Sequence, residues 1–566
     1  MTADTAHLAD GLATSGAALE IPWWQRATGY QIWPRSFADS DGDGIGDIPG
    51  IIGRLDYLAD LGIGFIWLSP VYASPMEDNG YDIADYRAIA PEFGTLDDMD
   101  RLIAAARDRD IRIVMDLVVN HTSNRHHWFE TALADPSSPE HRYYIWRPPA
   151  PDGGPPSADR ATFGGSAWNR VPEIGQYYYA HFSPHQPDLD WSNPALRREI
   201  YDMMNWWLDR GIGGFRMDVI SLLGKDVDLG VMEEGPKLHD YLQEMHRETL
   251  AGRDVVTVGE SWSVSPRTAL LYCGRDRGEL DMVFQFNHVT AFEDEEHGKW
   301  APKPFDLTRF KGELFTWQRT LADDGWNSLF LSNHDLPRQV SKYGDPGRYR
   351  RRSAKMLATV VHLMRGTPFV YQGEEIGMTN TAFTHIEQFR DLETLGLYRD
   401  KVAEGMEPED FLAAARENGR DNARTPVQWS GGPQAGFTDG TPWIDVNPNH
   451  AEINVARDLA DPDGVIAHYK RLIALRKTLG IVSHGRFVGF AEGDPAVMAY
   501  AREADGQRLS VIANFTGTEV TFDVPAGMRV SGRPLVHNVA PRVELGGTVQ
   551  LAPYEAFAVL GEIGID

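Results

Sequence analysis

The sequence predicts an α/β protein built on a closed (β/α)8 (TIM) barrel, with a subdomain inserted after the third strand and an antiparallel β domain at the C-terminal end. Three observations carry that expectation. Eight short, apolar, β-rich runs recur along the chain, each followed by a polar or glycine-rich loop and then a helical pattern. Their near-continuous apolarity is what a parallel strand needs when helices cover both faces of its sheet. Polar and ionisable residues gather at the C-terminal ends of the runs: Asn120 and His121, Arg216 and Asp218, Glu260, His334 and Asp335. In a barrel those ends form the mouth. A doubly wound sheet also places ligands at strand ends, but with fewer strands and no reason for a ring.

Taken in order, residues 1–20 have no basic start and no long apolar stretch, so they are expected to form a mobile leader rather than a secretory signal. The first two runs are GYQIWPRSF (29–37) and GFIWLSP (64–70). DDMDRLIAAARDRD (97–110) has helical periodicity and leads to the third run, IRIVMDLVVNH (111–121). Residues 122–191 are too long for an ordinary loop and rich in aromatics, Pro and Gly, as expected of an inserted subdomain. The remaining runs are GGFRMDV (213–219), VVTVGE (255–260), LDMVFQF (280–286), NSLFLSNHD (327–335) and TPFVYQGEE (367–375). The barrel is therefore assigned to 21–121 and 192–485. From 486 to 566 the alternation in VMAYAR, LSVIANFTG, TVQLAP and AFAVLG predicts a β-sandwich.

Composition limits the partners. Fifty-four Lys and Arg against 82 Asp and Glu give a net charge of −28, which repels nucleic acid and anionic lipid and suits a small neutral substrate. The only cysteine is Cys273, so no internal disulfide forms. No run of about 18 apolar residues predicts a membrane span. A cytoplasmic protein, monomeric or homodimeric, is expected.

Arg216 and Asp218 stand at the end of an apolar strand run, where a charge is costly unless paired. Two residues apart, they share a strand face, and Arg216 is expected to hold Asp218 ionised. Asp218, Glu260 and Asp335 thus put three carboxyls at three strand ends. Any one of them could be a capping acid. Together they suit cleavage of a sugar acetal, which needs one ionised and one protonated carboxyl flanking the bond. After the first run, DSDGDGIGDI (39–48) has the oxygen-rich spacing of a hard-cation loop, with Asp39, Asp41, Asp43, the Ile45 carbonyl and Asp47 as ligands and Gly44 at the turn. Gly50 stands where an EF-hand would have its bidentate Glu, so the loop is not an EF-hand.

DLVVNH (116–121), GFRMDVI (214–220), VGES (258–261) and SNHD (332–335) resemble the four sequence regions of the α-amylase family, glycoside hydrolase family 13, from about Trp23 to the C-terminus. YQGEEIGMTN (371–380), GRDNARTPVQW (419–429) and QPDLDW (186–191) are similar to oligo-1,6-glucosidases and dextran glucosidases. The resemblance implies Asp218 as nucleophile, Glu260 as general acid/base and Asp335 as the acid holding the 2- and 3-hydroxyls of glucose, with retention of configuration. It implies that Asp78 and Tyr81 bind and stack on the terminal glucose, that Arg420 clamps Asp78, and that His121, Arg216, His334, Phe163, Phe182 and Gln186 complete the pocket. An exo-acting α-glucosidase of small oligosaccharides follows. Valine at 219 accompanies α-1,6 preference in the family, while Trp262, Lys299 and Glu393 match positions on the leaving-sugar side. The resemblance also implies one structural Ca²⁺ at 39–47, with Mg²⁺ as the alternative, and no organic cofactor. An α-1,4-preferring glucosidase, a transglucosylase or sucrose isomerase, and a non-catalytic transporter subunit are the competing readings.

Overall fold

The structure, a computed structural model, describes residues 21–563 apart from 296 and 382; the expected leader, residues 1–20, lies outside the described residues. Eight parallel strands, β1 (Gly29–Ile32), β2 (Phe65–Leu68), β3 (Arg112–Leu117), β4 (Gly214–Met217), β5 (Val256–Glu260), β6 (Met282–Phe284), β7 (Ser328–Leu329) and β8 (Thr367–Tyr371), pair in the order β6-β5-β4-β3-β2-β1-β8-β7. A parallel bridge between Val283 and Asn327 joins β6 to the start of β7 and closes the ring. This is a (β/α)8 barrel.

Its interior is filled by apolar side chains from β2, β3, β5, β6 and β8, among them Phe65, Trp67, Val114, Val256, Val258, Met282, Phe284 and Phe369. Such packing makes the barrel a core and not a pore, and forces chemistry out to the mouth. Gly214 has a φ of +136°, and a Cβ there would lie 1.8 Å from the Val256 carbonyl oxygen, so β4 and β5 can approach only with glycine at that point.

The strands are shorter than the apolar runs that predict them. After Ile32 the chain turns through Pro34–Ser36, where proline has no N–H to give a ladder. After Leu329 it leaves β7 within two residues, so Ser332 to Asp335 lie in loop at the mouth. The helix expected over 97–110 spans Leu96–Arg107, opened by a Thr95/Asp98 capping box.

The segment after β3 contains helix His127–Ala134 and a three-stranded antiparallel sheet of Trp146–Arg147, Gln176–Tyr179 and Trp168–Val171. It is tied to the barrel mouth by the Leu189 amide donating to the Asn120 carbonyl at 2.9 Å. Beyond Arg486 the chain forms a six-stranded antiparallel sheet, and a separate pair, Val520–Asp523 with Thr548–Leu551, covers it. Val497, Ile512, Phe522, Leu551 and Phe557 form one apolar cluster between the two sheets. Lys311, fully buried on a barrel helix, donates to the carbonyls of Ala491, Asp494 and Val497 and so fastens this sheet to the barrel. Among the described residues no helix is long and apolar enough to cross a membrane.

Candidate active site

Strand β4 ends in Arg216-Met217, and the Asp218 amide still donates to the Leu117 carbonyl of β3 at 3.0 Å, which fixes where the Asp218 side chain emerges. Val219 then adopts φ 36°, ψ 45°, a left-handed conformation unusual for a β-branched residue. It turns the chain off the barrel and aims its N–H at Glu260 Oε2, 3.1 Å away. Glu260 ends β5.

Arg216 sits between the acids. Its Nη1 donates to Asp116 Oδ1 at 2.8 Å and to Asp218 Oδ1 at 2.7 Å, and its Nη2 to Glu260 Oε2 at 2.6 Å. The guanidinium also lies over Trp67, 4.8 Å from the ring centre. Burial pushes the Asp218 carboxyl well above the usual range; Arg216 opposes this, while Glu260 and Asp116 reinforce it. Arg216 thus pairs with Asp218 and favours its ionised form, as expected, but burial and the neighbouring acids work against it. One guanidinium is divided among three buried carboxyls, so the fully ionised cluster would carry two surplus negative charges and instead tends to keep a proton.

Asp335 behaves in the opposite way. Although burial opposes ionisation, His334, Arg420 and Arg424 together hold its carboxyl well below the usual range. Asp335 Oδ1 accepts from Arg424 Nη2 at 2.9 Å and Arg420 Nη1 at 3.2 Å, and Oδ2 lies 3.0 Å from His334 Nε2. The Gln31 amide nitrogen is 2.8 Å from His334 Nδ1, so Nε2 carries the hydrogen that faces Asp335. Tyr81 stacks on His334 at 5.2 Å, with Trp33 against the imidazole too, and the Tyr81 hydroxyl donates to Asp116.

Asp78 lies beside this group. Gln186 Nε2 donates to its Oδ2 at 3.0 Å, and burial raises its carboxyl to about 7 against the pull of Arg420 and Arg424. The expected Arg420 clamp is present but long, 3.4 Å; the shorter bonds of Arg420 go to Asp391, at 2.5 Å from Nη2 and 2.9 Å from Nε.

A cavity of about 410 Å³ opens onto these residues and is lined also by His121, Phe163, Phe182, Val219, Trp262, Lys299 and Glu393. Phe163 lies under Arg420 at 4.7 Å and Phe182 packs its edge on His121. His121 is lowered to about 4 by burial, so it is neutral. Trp262 stacks on Phe286 at 3.7 Å and donates to Glu260 Oε1, while Lys299 pairs with Glu393 at 2.7 Å. Every residue expected in the pocket lines it except Arg216 and His334, which stand behind the carboxyls they hold. Asp116, Arg424, Asp391 and Trp33 do not line the cavity but contact Arg216, Asp335, Arg420 and His334 from behind, and sequence reasoning missed them. Asp116 could have been found by the argument applied to Arg216, a charge inside an apolar run.

The loop after β1 brings Asp39, Asp41 and Asp43 together, their ligand oxygens within 4.8 Å of one another. Burial raises the Asp43 carboxyl, with Asp41, Asp39 and Asp47 adding to the rise. Crowded oxygen-only donors of this kind fit a hard cation. Asp47 is also committed locally: Oδ1 accepts from the Gly50 amide and caps helix Ile48–Ile52, and Oδ2 accepts from Ser40.

A buried carboxyl pair on one guanidinium, beside a third acid held by two arginines in a pocket of sugar size, is the arrangement that glycosidic bond cleavage requires. Residues 31–485 match the alpha amylase catalytic domain and residues 497–557 the alpha-amylase SusG C-terminal domain. The chain belongs to the alpha-amylase family, glycoside hydrolase family 13, and is a glycoside hydrolase. It is 53% identical to a palatinase of Erwinia rhapontici, over 96% of this chain and 99% of that protein. It is 49% identical to an oligo-1,6-glucosidase of Halalkalibacterium halodurans, over 96% and 100%. The crystal structure of an isomaltulose synthase from Klebsiella sp. LX3 superposes with a TM-score of 0.93 at 39% identity, covering 96% of this chain and 100% of that one.

Proposed function

We propose that the protein is an exo-acting, retaining α-glucosidase that releases glucose from the non-reducing ends of α-1,6-linked oligosaccharides. The observation that carries this reading is the sharing of Arg216 by Asp218 and Glu260, in a pocket that is also lined by Asp78, Gln186 and Arg420, themselves joined by hydrogen bonds. Two carboxyls on the two ends of one guanidinium favour the short separation of retaining enzymes, roughly 5–5.5 Å. Asp218 attacks the anomeric carbon as its carboxylate, the form that Arg216 favours, while Glu260 serves as the general acid to the leaving oxygen. Water then enters, Glu260, now a carboxylate, takes a proton from it, and the water oxygen bonds to the anomeric carbon as the ester bond to Asp218 breaks and glucose is released. Asp335, ionised and clamped, accepts hydrogen bonds from the ring hydroxyls, and Tyr81 supplies a flat apolar face beneath the sugar.

The α-1,6 preference is supported by Val219 beside the nucleophile and by the likeness to an oligo-1,6-glucosidase. A second reading, favoured by the likeness to a palatinase, is that the preferred leaving sugar is a ketose, as in palatinose. As part of the same proposal, Asp39, Asp41, Asp43, the Ile45 carbonyl and Asp47 hold one structural Ca²⁺. Timed product analysis on isomaltose, panose, palatinose, maltose and sucrose tests the assignment. Glucose release from isomaltose and panose well ahead of maltose supports it; rearrangement of sucrose without net hydrolysis, or loss of preference for the 1,6 bond, refutes it. Asp218→Asn and Glu260→Gln should each abolish most turnover while the fold persists; near wild-type hydrolysis by Asp218→Asn would remove the nucleophile assignment.

A further inference from the structure

Glu233 has no role in the chemistry above, yet it lines the cavity. Its Oε2 accepts from Ser221 Oγ at 3.2 Å and from the Ser263 amide at 3.1 Å, and the other oxygen has no partner among the described residues. These two donors lie three residues beyond Asp218 and three beyond Glu260, so the carboxylate is fixed to the segments that follow both reacting groups and lines the same cavity. The loop that carries it is held by reciprocal hydrogen bonds between Asp226 and Val231 and by the Glu234 amide on the Ser221 carbonyl.

The cations around it are already committed. Lys299 pairs with Glu393, Lys342 donates to Asn418 Oδ1 at 2.6 Å and to Glu417, and Arg420 is taken up by Asp391, Asp335 and Asp78. His181, beside Glu233 on the wall, is lowered by burial and therefore uncharged near neutrality, and its buried Nδ1 has no hydrogen-bond partner. Glu293 adds a further acid to the lining.

We propose that Glu233 makes the leaving-sugar side of the pocket a charge filter, which takes neutral and cationic leaving groups and rejects phosphorylated or otherwise anionic ones. The inference rests on reading the pocket as a glucosidase cleft. A free carboxylate in a half-buried wall repels an anion more strongly than it would in open water, because screening is weaker there. No lining cation among the described residues is free to offset it, so a sugar phosphate would enter against uncompensated like charge.

The test uses three aryl α-glucosides bearing 4-(aminomethyl)phenyl, 4-(hydroxymethyl)phenyl or 4-(carboxymethyl)phenyl groups. The methylene insulates the ring, so the leaving groups have similar acidity and differ in charge. In the wild type at low salt, kcat/KM should fall by about tenfold or more from cation to anion, with the neutral glucoside between. Glu233→Gln should compress that spread to about threefold, and added salt should compress the wild-type spread as well. Comparing ratios within one protein cancels any general loss of activity in the variant. A flat series in the wild type, or a spread that Glu233→Gln leaves unchanged, overturns the proposal. Isomaltose turnover by the same wild-type preparation separates the two ideas: no turnover with a steep charge series refutes the α-1,6 reading and leaves the filter standing.

Discussion

Val219 meets two demands that conflict in most settings. Its backbone is left-handed, which for a branched side chain stores strain of about 1–3 kcal/mol, and its isopropyl group lines the cleft beside the nucleophile. The strain is held by two bonds: its N–H on Glu260 and its carbonyl accepting from the Leu222 amide at 3.0 Å. Changing the side chain should therefore alter shape more than position. A methyl-scale change in a pocket is worth about 1–3 kcal/mol, or about 10–200-fold, so isomaltose should be favoured over maltose by a factor in that range. Val219→Ala and Val219→Thr should both raise maltose turnover relative to isomaltose, read as kcat/KM; an unchanged ratio in both would assign Val219 to packing alone. Asp116 acts on charge rather than shape. It is one of the acids that raise Asp218, so Asp116→Asn should lower the Asp218 pKa. Because the nucleophile must be ionised, the acid limb of the kcat/KM–pH profile should move to lower pH. A shift to higher pH would mean that weakening the Arg216 cluster outweighs the lost charge.

The loop from Asp39 to Asp47 shows how one element ties distant parts together. The Asp39 amide donates to the Phe437 carbonyl and the Trp443 amide to the Gly44 carbonyl, so the loop joins the end of β1 to the segment around 437–443. Gly44 has a φ of +94°, and a Cβ would lie 1.9 Å from the Thr441 carbonyl oxygen. No other residue fits there. None of the matched sugar-binding side chains comes from this loop, so a bound cation should contribute to stability and leave chemistry alone. Ligand that binds only the native state stabilises it by about 2.7 kcal/mol at a hundredfold excess over Kd. Chelation should lower the melting temperature, and restored Ca²⁺ should recover it. Asp39→Ala should abolish that response, since Asp39 both faces the site and accepts from the amides of Asp41, Gly42 and Gly44. Loss of turnover in metal-free protein that is still folded would contradict the structural role.

Across the whole molecule, what the sequence made legible was local. Each of the eight strands lies inside its apolar run, because a strand buried on both faces needs nothing but its own residues to be recognised. Strand lengths were less legible: NSLFLSNHD yields only Ser328–Leu329, because the mouth loop begins where side chains turn to Glu374 and the arginines. Asp391 was not legible at all. By itself it reads as the cap of helix Leu392–Ala403, which it is, and its bonds to Arg420 and Arg424 depend on folding that brings residues 335, 391, 420 and 424 together. That cluster supports a prediction about the fold as a unit. Asp391 is fully buried, and although burial opposes ionisation, Arg420 and Arg424 hold its carboxyl well below the usual range. Removing the charge leaves two buried guanidinium groups short of an anion, so Asp391→Asn should destabilise the protein at neutral pH by about 3–5 kcal/mol. The sign with pH follows from the lowered value: below the ordinary carboxylate pKa, about 4, the unfolded chain binds a proton that the native state does not, so the stabilisation fades on acidification. The melting-temperature difference between wild type and Asp391→Asn should thus stay constant from pH 7 to about 5 and shrink below about 4. A difference that widened on acidification would show that Asp391 is held as a neutral acid, and that the two arginines are balanced by Asp335 and Asp78 instead.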